Sequence, residues 1–299
     1  MGWHVLDMLS AAFPPKPGFT EKQLPDLSGR VYLITGANTG VGKELAQLLY
    51  AKNARIHVAA RDETKANAAI AAIRDAHPDS RGSLVFLPLD LADLNAVKAA
   101  AQRFLETEQR LDVLFNNAGV MLPAAGSRTA QGYELQLGVN NVGPFLLTRL
   151  LTPLLAATAR QAAVPRDSVR VVWVASSAAE MVPMVPTGGV DMAEVDARAD
   201  KPNFVCYALS KAGNYLHGVE YAARHTAADG VLSVPLNPGN LDSELWRTQG
   251  WLASRLLRTF FLHPSIYGAY TELFAGLSPD VTAEKSGEWG ELPFAPIVS

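Results

Sequence analysis

Short apolar runs alternate with helical patterns between residues 31 and 235, and this alternation is the strongest constraint on the fold. The runs are too short to be helices and are bounded by glycine, proline or polar residues, so they predict buried strands. A helical pattern between successive strands requires a right-handed crossover and therefore a parallel sheet. The predicted strands are residues 31–34, 55–59, 84–87, 113–115, 169–174 and 231–235.

The intervening patterns predict the helices and the domain organisation. We expect an α/β protein, a single doubly wound domain with a parallel sheet flanked by helices on both faces. Residues 1–26 are predicted to form an N-terminal arm and residues 27–299 the domain, since no later break marks a second domain. The predicted helices follow the first strand and cover residues 64–76, 94–105, 133–155 and 208–228.

Composition narrows the range of partners. Hydrophobic residues make up 48% of the 299 residues and charged residues 18%, which is typical of a globular protein. A net charge of -3 gives no reason to expect nucleic acid or an anionic membrane surface. The N-terminal apolar stretch is too short to span a bilayer, so membrane association is not expected. Cys206 is the single cysteine, and we expect a reducing, cytoplasmic compartment.

A glycine-rich turn follows the first strand and precedes a helix. Glycines let the backbone approach a pyrophosphate closely, and the helix N-terminus offers free N–H groups to the anion. A glycine turn alone is weak evidence, but its position after the first strand favours a nucleotide site. The predicted contacts are Gly36, Asn38, Thr39, Gly40, Val41 and Gly42.

The end of the second strand indicates which dinucleotide binds. An acidic residue there would hold the ribose 2′-hydroxyl, whereas a basic residue would hold a 2′-phosphate. Arg61 occupies this position, and Lys65 lies one helical turn further on. A guanidinium matches a phosphate well, so NADP(H) is preferred and NAD(H) remains possible. The alternative is a solvated Arg61, with Asp62 taking the ribose.

Tyr207 and Lys211 are four residues apart at the predicted start of the long helix and therefore face the same side. An ammonium beside a phenol favours the phenolate, which would lower the pKa of Tyr207 towards that of a general acid or base. The pair alone is common. It is accompanied here, in chain order, by the motifs Asn-Asn-Ala-Gly at 116–119, Val-Asn-Asn-Val-Gly-Pro-Phe at 139–145, Ser-Ser at 176–177 and Asn-Pro-Gly at 237–239.

Together these motifs resemble the short-chain dehydrogenase/reductase family, most closely its retinol-dehydrogenase-like branch, including similar proteins of filamentous fungi. The resemblance runs from about residue 27 to about residue 243. It implies that Tyr207 exchanges a proton with the substrate oxygen and that Lys211 holds the nicotinamide ribose and lowers the pKa of Tyr207. Asn140 would fix a water that links Lys211 to solvent, although it could also simply satisfy backbone groups in a kinked helix.

The resemblance also implies further contacts to the cofactor. Residues after the third strand would contact adenine, residues after the fourth would line the cofactor and brace the sheet, and residues after the sixth would border the nicotinamide carboxamide. These residues are, in the same order, Asp90 and Leu91; Asn117, Ala118 and Gly119; and Pro238, Gly239, Leu241 and Ser243.

Two adjacent serines compete for the role of polarising the substrate oxygen. In the family pattern the strand ends in two serines and the second has this role, which corresponds to Ser176 here because Ala175 replaces the first. Side chains alternate along a strand, so Ser177 should point elsewhere, although a bulge could exchange the two.

The segment around residues 240–264 is rich in leucine, tryptophan and phenylalanine. In the resembled family it forms a lid over the substrate, and an apolar lid suits a lipophilic small molecule. Ordinary core packing explains about as many of these residues. The long loop 180–203 would border the substrate mouth. His217 and His225 are interpreted as structural, and no residue spacing indicates a metal site.

We therefore expect an NADP(H)-dependent enzyme that transfers hydride between a nicotinamide and a carbonyl or alcohol group. One alternative is an NAD-linked alcohol dehydrogenase with the same catalytic residues. The other is a non-catalytic NADP-binding regulator, which the fold alone does not exclude but for which Tyr207 and Lys211 together would be unnecessary. A monomer and a homodimer are both compatible with the sequence.

Overall fold

Six strands form one parallel sheet in the order β3-β2-β1-β4-β5-β6. The computed structural model describes residues 16–181, 202–242 and 263–289. The strand order reverses between β1 and β4, which creates the crevice where such sheets bind ligands. The predicted doubly wound fold is confirmed. The strands are β1 (Val31–Thr35), β2 (Arg55–Ala60), β3 (Ser83–Pro88), β4 (Val113–Asn116), β5 (Arg170–Val174) and β6 (Leu232–Leu236).

Helices cover both faces of the sheet because side chains alternate along each strand. In β1, Tyr32 and Ile34 belong to one apolar core, whereas Val31 and Leu33 belong to the other. The first core is completed by α1 (Gly40–Tyr50), α2 (Glu63–Ala76) and α7 (Ser265–Leu277). The second is covered by α3 (Leu94–Thr107), α4 (Gly143–Ala159) and α6 (Asn203–Asp229), and a short α5 (Ala178–Met181) follows β5.

The long helix α6 begins earlier than the sequence indicated. It starts at Asn203 rather than at residue 208, directly after Pro202, and ends at Gly230, which adopts a left-handed φ of 70°. Proline is favoured at a helix start because its fixed φ suits the first turn. Tyr207 therefore does not open the helix but lies one turn inside it, where its backbone is held by regular hydrogen bonds.

The predicted helix 133–155 contains an irregular turn. A short helical turn, Leu135–Leu137, leads into a π-helical turn, Gly138–Val142, before α4 begins. Such widened turns occur frequently at functional sites. By length and composition alone, Leu135–Ala159 could cross a membrane. Three of its leucines are completely buried in the second core, at positions 147, 151 and 155.

A buried arginine fixes α7 against the sheet. Arg170 is 3% exposed at the start of β5, and its guanidinium donates to the carbonyl oxygens of Ala275, Ser278 and Val281 at 2.9, 2.8 and 3.1 Å. The last carbonyls of a helix have no partners within the helix. Arg170 supplies such partners and thereby sets the position of α7 along the sheet.

The two ends of the predicted lid lie side by side. Strand β7 (Leu241–Asp242) pairs with β8 (His263–Pro264), and the His263 amide donates to the Asn240 carbonyl at 2.9 Å. Residues 243–262 themselves, most of the N-terminal arm and most of the loop 180–203 lie outside the described residues.

Replacing Arg170 by methionine should destabilise the protein by about 3 kcal/mol or more, because buried carbonyls lose charge-assisted hydrogen bonds. Urea unfolding of the variant measures this change. Arg160→Met is the matched control, since Arg160 is 64% exposed in its ion pair with Asp229 and should contribute under about 1 kcal/mol. Equal losses in the two variants would contradict the anchoring role of Arg170.

Candidate active site

The turn after β1 presents free backbone N–H groups at the start of α1. Gly36 turns the chain with a φ of 70°, a conformation that side chains disfavour. Thr39 precedes α1 in an extended conformation and makes no side-chain cap. The first N–H groups of α1 therefore lack a side-chain acceptor and can bind an anion such as a pyrophosphate.

This turn packs so closely on the end of β4 that its glycines leave no room for side chains. A Cβ at Gly42 would lie 2.5 Å from Asn117 Nδ2, and one at Gly36 would lie 3.1 Å from Ala118 Cα. Asn117 Nδ2 donates to the Thr35 carbonyl at 2.7 Å, and the Ala118 amide donates to Thr35 Oγ1 at 2.9 Å. These two bonds join the loop after β4 to the end of β1.

At the end of β2 the two candidate ribose-binding residues differ in their partners. Asp62 caps α2 by accepting from the Lys65 amide at 3.0 Å. Arg61 is exposed and makes no hydrogen bond or ion pair with the described residues, and the Lys65 side chain is likewise exposed. The acid is thus engaged locally, whereas the guanidinium is available to a ligand.

The residues after β3 and β6 shape the edges of the crevice. Asp90 Oδ1 accepts from the Ala92 amide at 2.9 Å. Leu91 is buried against the start of α4, where a Cβ at Gly143 would lie 2.7 Å from the Leu91 carbonyl oxygen. Gly239 has a φ of 90° and donates its amide to Asn237 Oδ1 at 3.1 Å. The other predicted cofactor contacts lie as follows. The turn after β1 and the start of α1 contain Asn38, Gly40 and Val41. Gly119 follows β4 and Pro238 follows β6, while Leu241 is buried beside α7 and Ser243 lies outside the described residues.

Tyr207 meets Ser176 at the carboxyl end of β5. Ser176 Oγ accepts from the Ala178 amide at 3.2 Å, which orients its hydroxyl at the end of β5. Tyr207 is 6% exposed, and this burial raises the pKa of its hydroxyl, while the interaction with the Ser176 side chain acts in the opposite direction. Desolvation of the phenolate is the larger effect, and Lys211 is not among the groups that shift this pKa.

Lys211 is held behind Tyr207. Its Nζ donates to the Val174 carbonyl oxygen at 2.8 Å and lies 5.9 Å from the centroid of the Tyr207 ring. Burial lowers the pKa of Lys211 to about 8, and the electrostatic influence of Glu272 opposes this shift. The structure therefore places next to the phenol an ammonium group that loses its proton more readily than an exposed lysine does.

Asn140 links the loop after β4 to α6. Its Oδ1 accepts from the Val120 amide at 2.8 Å, and its Nδ2 donates to the Val120 carbonyl at 3.0 Å and to Ser210 Oγ at 2.9 Å. A Cβ at Gly119 would lie 3.3 Å from both Asn140 Oδ1 and Lys211 Nζ, so the two groups flank the same spot. These contacts match the backbone-satisfying alternative and leave the proposed water relay untested.

Two polar residues that the sequence did not single out position α6. Gln136 is completely buried, and its Nε2 donates to the Asn203 carbonyl at 3.0 Å, while its Oε1 accepts from the Leu122 amide at 3.0 Å. Asn203 Nδ2 in turn donates to the Pro123 carbonyl at 2.6 Å. The bonds of Gln136 and Asn203 together hold the first turn of α6 on the loop after β4. In the sequence, the only indication of this role was a single glutamine among apolar residues.

The chain belongs to the short-chain dehydrogenase/reductase family of oxidoreductases. The model of the family described as short chain dehydrogenase matches residues 30–187. A short-chain dehydrogenase/reductase of Phomopsis amygdali is 56% identical over 285 residues, which cover 93% of this chain and 84% of the relative. Members of the family bind NAD(H) or NADP(H) and act on alcohol or carbonyl groups of small molecules, often as oligomers. Placement in the retinol-dehydrogenase-like branch stays a prediction.

Solved structures share the fold. A 3-ketoacyl-(acyl-carrier-protein) reductase from Brucella melitensis complexed with NADH superimposes with a TM-score of 0.66 at 23% identity, covering 89% of this chain and 97% of that one. The RhlG/NADP active-site complex of Pseudomonas aeruginosa gives 0.67 at 24% identity, covering 93% and 98%. At these identities the likeness establishes the architecture alone.

The contact between Ser176 and Tyr207 predicts that the two serines are not equivalent. Ser176→Ala should lower kcat/KM for a carbonyl substrate by about 100-fold or more, because one donor to the substrate oxygen is lost. Ser177→Ala is the matched control and should change it by less than about threefold. Steady-state kinetics measure both, and the reverse ranking would assign the role to Ser177.

Proposed function

We propose that this protein is an NADP(H)-dependent oxidoreductase that reduces a carbonyl group of a lipophilic small molecule, or oxidises the corresponding alcohol. The observation that carries the proposal is the convergence of Ser176 and Tyr207 at the end of β5, with Lys211 Nζ 5.9 Å from the centre of the Tyr207 ring. A phenol, a hydroxyl donor and an ammonium converge at the carboxyl edge of the sheet, beside the crevice where the strand order reverses.

The residues around this crevice fit a dinucleotide. The uncapped N-terminus of α1 would bind the pyrophosphate, and the closely packed Gly36 and Gly42 allow its approach. Lys211 would hold the nicotinamide ribose. The bound cofactor supplies or accepts the hydride, while the protein provides orientation and the proton.

Tyr207 and Ser176 would share the substrate oxygen during reduction. The Ser176 hydroxyl donates a hydrogen bond to the carbonyl oxygen, and the Tyr207 hydroxyl transfers its proton to that oxygen as negative charge develops. Burial raises the pKa of Tyr207, so the phenol is protonated before the reaction but releases its proton only if the phenolate is stabilised. The Lys211 ammonium then stabilises the phenolate that remains.

The surroundings of the Tyr207 hydroxyl support an apolar substrate. Ala178, Tyr207 and Ala208 form a small apolar cluster, and Met121 packs against it. Phe204, which is 45% exposed, lies on the same helix with its ring 6.4 Å from that of Tyr207. Apolar walls exclude water and strengthen the electrostatic interactions of the reacting groups.

The preference for NADP(H) rests on the end of β2. Asp62 is committed to capping α2, whereas Arg61 is exposed and has no partner among the described residues. An unengaged guanidinium at this position suits a 2′-phosphate and gives a 2′-hydroxyl little to bind.

Tyr207→Phe should lower kcat for an accepted ketone by at least about 100-fold while leaving the dissociation constant of NADPH within about threefold, since only the transferable proton is removed. A panel of lipophilic ketones and aldehydes is screened first by NADPH consumption. Tyr215→Phe, on the outer part of α6, is the matched control and should behave as the unmodified protein. Unchanged turnover in Tyr207→Phe would refute the assignment.

Arg61→Ala should raise the KM for NADPH by about tenfold or more and leave that for NADH nearly unchanged, because only NADPH carries the 2′-phosphate. Arg103→Ala, which removes an exposed arginine from α3, controls for the general loss of positive charge. Equal effects of Arg61→Ala on the two cofactors would rule out the phosphate contact.

A further inference from the structure

Helix α7 carries a buried acid that the proposed reaction does not use. The Glu272 side chain is completely buried, and neither of its carboxylate oxygens accepts a hydrogen bond from any described residue. An ionised carboxylate in such surroundings is strongly disfavoured unless a nearby positive charge compensates for it. Glu272 therefore occupies a position where an apolar residue would pack at lower energetic cost.

The position of this carboxyl group is tightly constrained. Gly268 and Gly276 lie one turn before and one turn after Glu272 and so share its face of the helix. A Cβ at Gly276 would lie 2.5 Å from Phe115 Cζ, and one at Gly268 would collide with Leu241 Cδ1. The face that carries Glu272 thus packs on Phe115 of the sheet at one end and on Leu241 and Val41 at the other, and Arg170 holds the end of the helix.

Lys211 is the charged group that interacts with Glu272 among the described residues. Glu44 on α1 acts on Tyr270 instead, and Arg170 is occupied by backbone carbonyls. Lys211 itself makes one hydrogen bond, to the Val174 carbonyl, which is shared with Asn214 Nδ2. The remaining titratable side chains on α7 and on the elements packed against it, as far as the structure describes them, are Lys43, Tyr50, His263 and Tyr267.

The interaction between Glu272 and Lys211 is mutual. Burial raises the pKa of Glu272 to about 8, and Lys211 opposes this shift. Burial lowers the pKa of Lys211 to about 8, and Glu272 opposes that shift. The two groups therefore change charge over the same pH range, and each favours the charged form of the other.

We propose that Glu272 is a positioning residue for the reaction: its buried carboxyl group is the internal partner of the Lys211 ammonium and controls the positive charge that Lys211 presents to the cofactor ribose and to Tyr207. The inference rests on the proposed function, because it acts through the role assigned to Lys211. Helix α7, which carries Glu272, packs against β5, and Lys211 donates to the Val174 carbonyl at the end of the same strand, so Glu272 is argued to act through Lys211.

The first test is the pH dependence of kcat/KM for carbonyl reduction in Glu272→Gln. Without the carboxylate, Lys211 loses its proton at lower pH, so the alkaline decline of activity should move down by about one pH unit. The variant should be about fivefold less active than the unmodified enzyme at pH 8.5 and within about twofold of it at pH 6. Glu106→Gln, at an exposed site on α3, should leave the profile unchanged.

The second test needs no activity. The pKa of Glu272 is higher in the folded chain than its ordinary value of 4.5, so folding takes up a proton and stability falls as pH rises from about 5 to about 8. Glutamine cannot ionise, and the Tm of Glu272→Gln relative to the unmodified protein should therefore rise by about 5 °C across this range. The same Tm difference is then measured in a Lys211→Met background. It should change more with pH there, because the ammonium that favours the ionised form of Glu272 is absent.

The two tests separate failure of this inference from failure of the proposed function. If the chain reduces ketones but Glu272→Gln has an unshifted pH profile and a pH-independent Tm difference, Glu272 is only a packing residue and the inference is wrong. If the Tm coupling to Lys211 is present but no carbonyl substrate is turned over, the pair is real and the proposed reaction fails. A constant loss of activity at every pH would also contradict the inference, since it would indicate a structural role.

Discussion

The hydrogen bond from Asn117 to the Thr35 carbonyl joins the carboxyl ends of the two central strands, β1 and β4, at the place where the strand order reverses. Every feature of the candidate site is arranged around this junction. The turn after β1 can pack against it because Gly36 and Gly42 lack side chains. The N-terminus of α1 therefore opens directly onto the crevice, and β5 brings Ser176 to the same edge of the sheet.

Burial governs the chemistry of the residues that meet there. Tyr207 and Lys211 are both withdrawn from water, which raises the pKa of the phenol and lowers that of the ammonium. A low-dielectric site strengthens each remaining interaction, so the bond from Lys211 to the Val174 carbonyl determines how the ammonium is oriented. Glu272 belongs to the same balance, because it is the carboxyl group that favours the charged form of Lys211.

The sequence predicted the sheet well because each strand is an apolar run bounded by residues that end strands, and the six runs correspond to the six strands. The resemblance to the family ranked Ser176 above Ser177, in agreement with the alternation of side chains, and Ser176 is the serine that interacts with Tyr207. The start of α6 was misplaced, since nothing local shows that Pro202 begins a helix rather than ends a loop.

Electrostatic properties were less accessible to prediction than positions. The spacing of Tyr207 and Lys211 indicated a lowered pKa for the phenol, but the pKa depends on how deeply both side chains are buried, which spacing does not encode. Glu272 was missed for a related reason. Its only signature is an acid with a glycine four residues away on either side, and Lys211, with which it interacts, lies far from it in the sequence.

The central claim is that Tyr207, Ser176 and Lys211 serve hydride transfer between NADPH and a carbonyl carbon. Incubation of the protein with NADPH deuterated at C4 of the nicotinamide and a panel of lipophilic ketones and aldehydes, followed by mass spectrometry of the alcohols, tests it most directly. The account predicts that deuterium appears on the carbinol carbon of at least one product, from one face of the nicotinamide only. Tight binding of NADPH with no label transferred to any carbonyl compound would contradict it and favour a protein that binds the dinucleotide without catalysis.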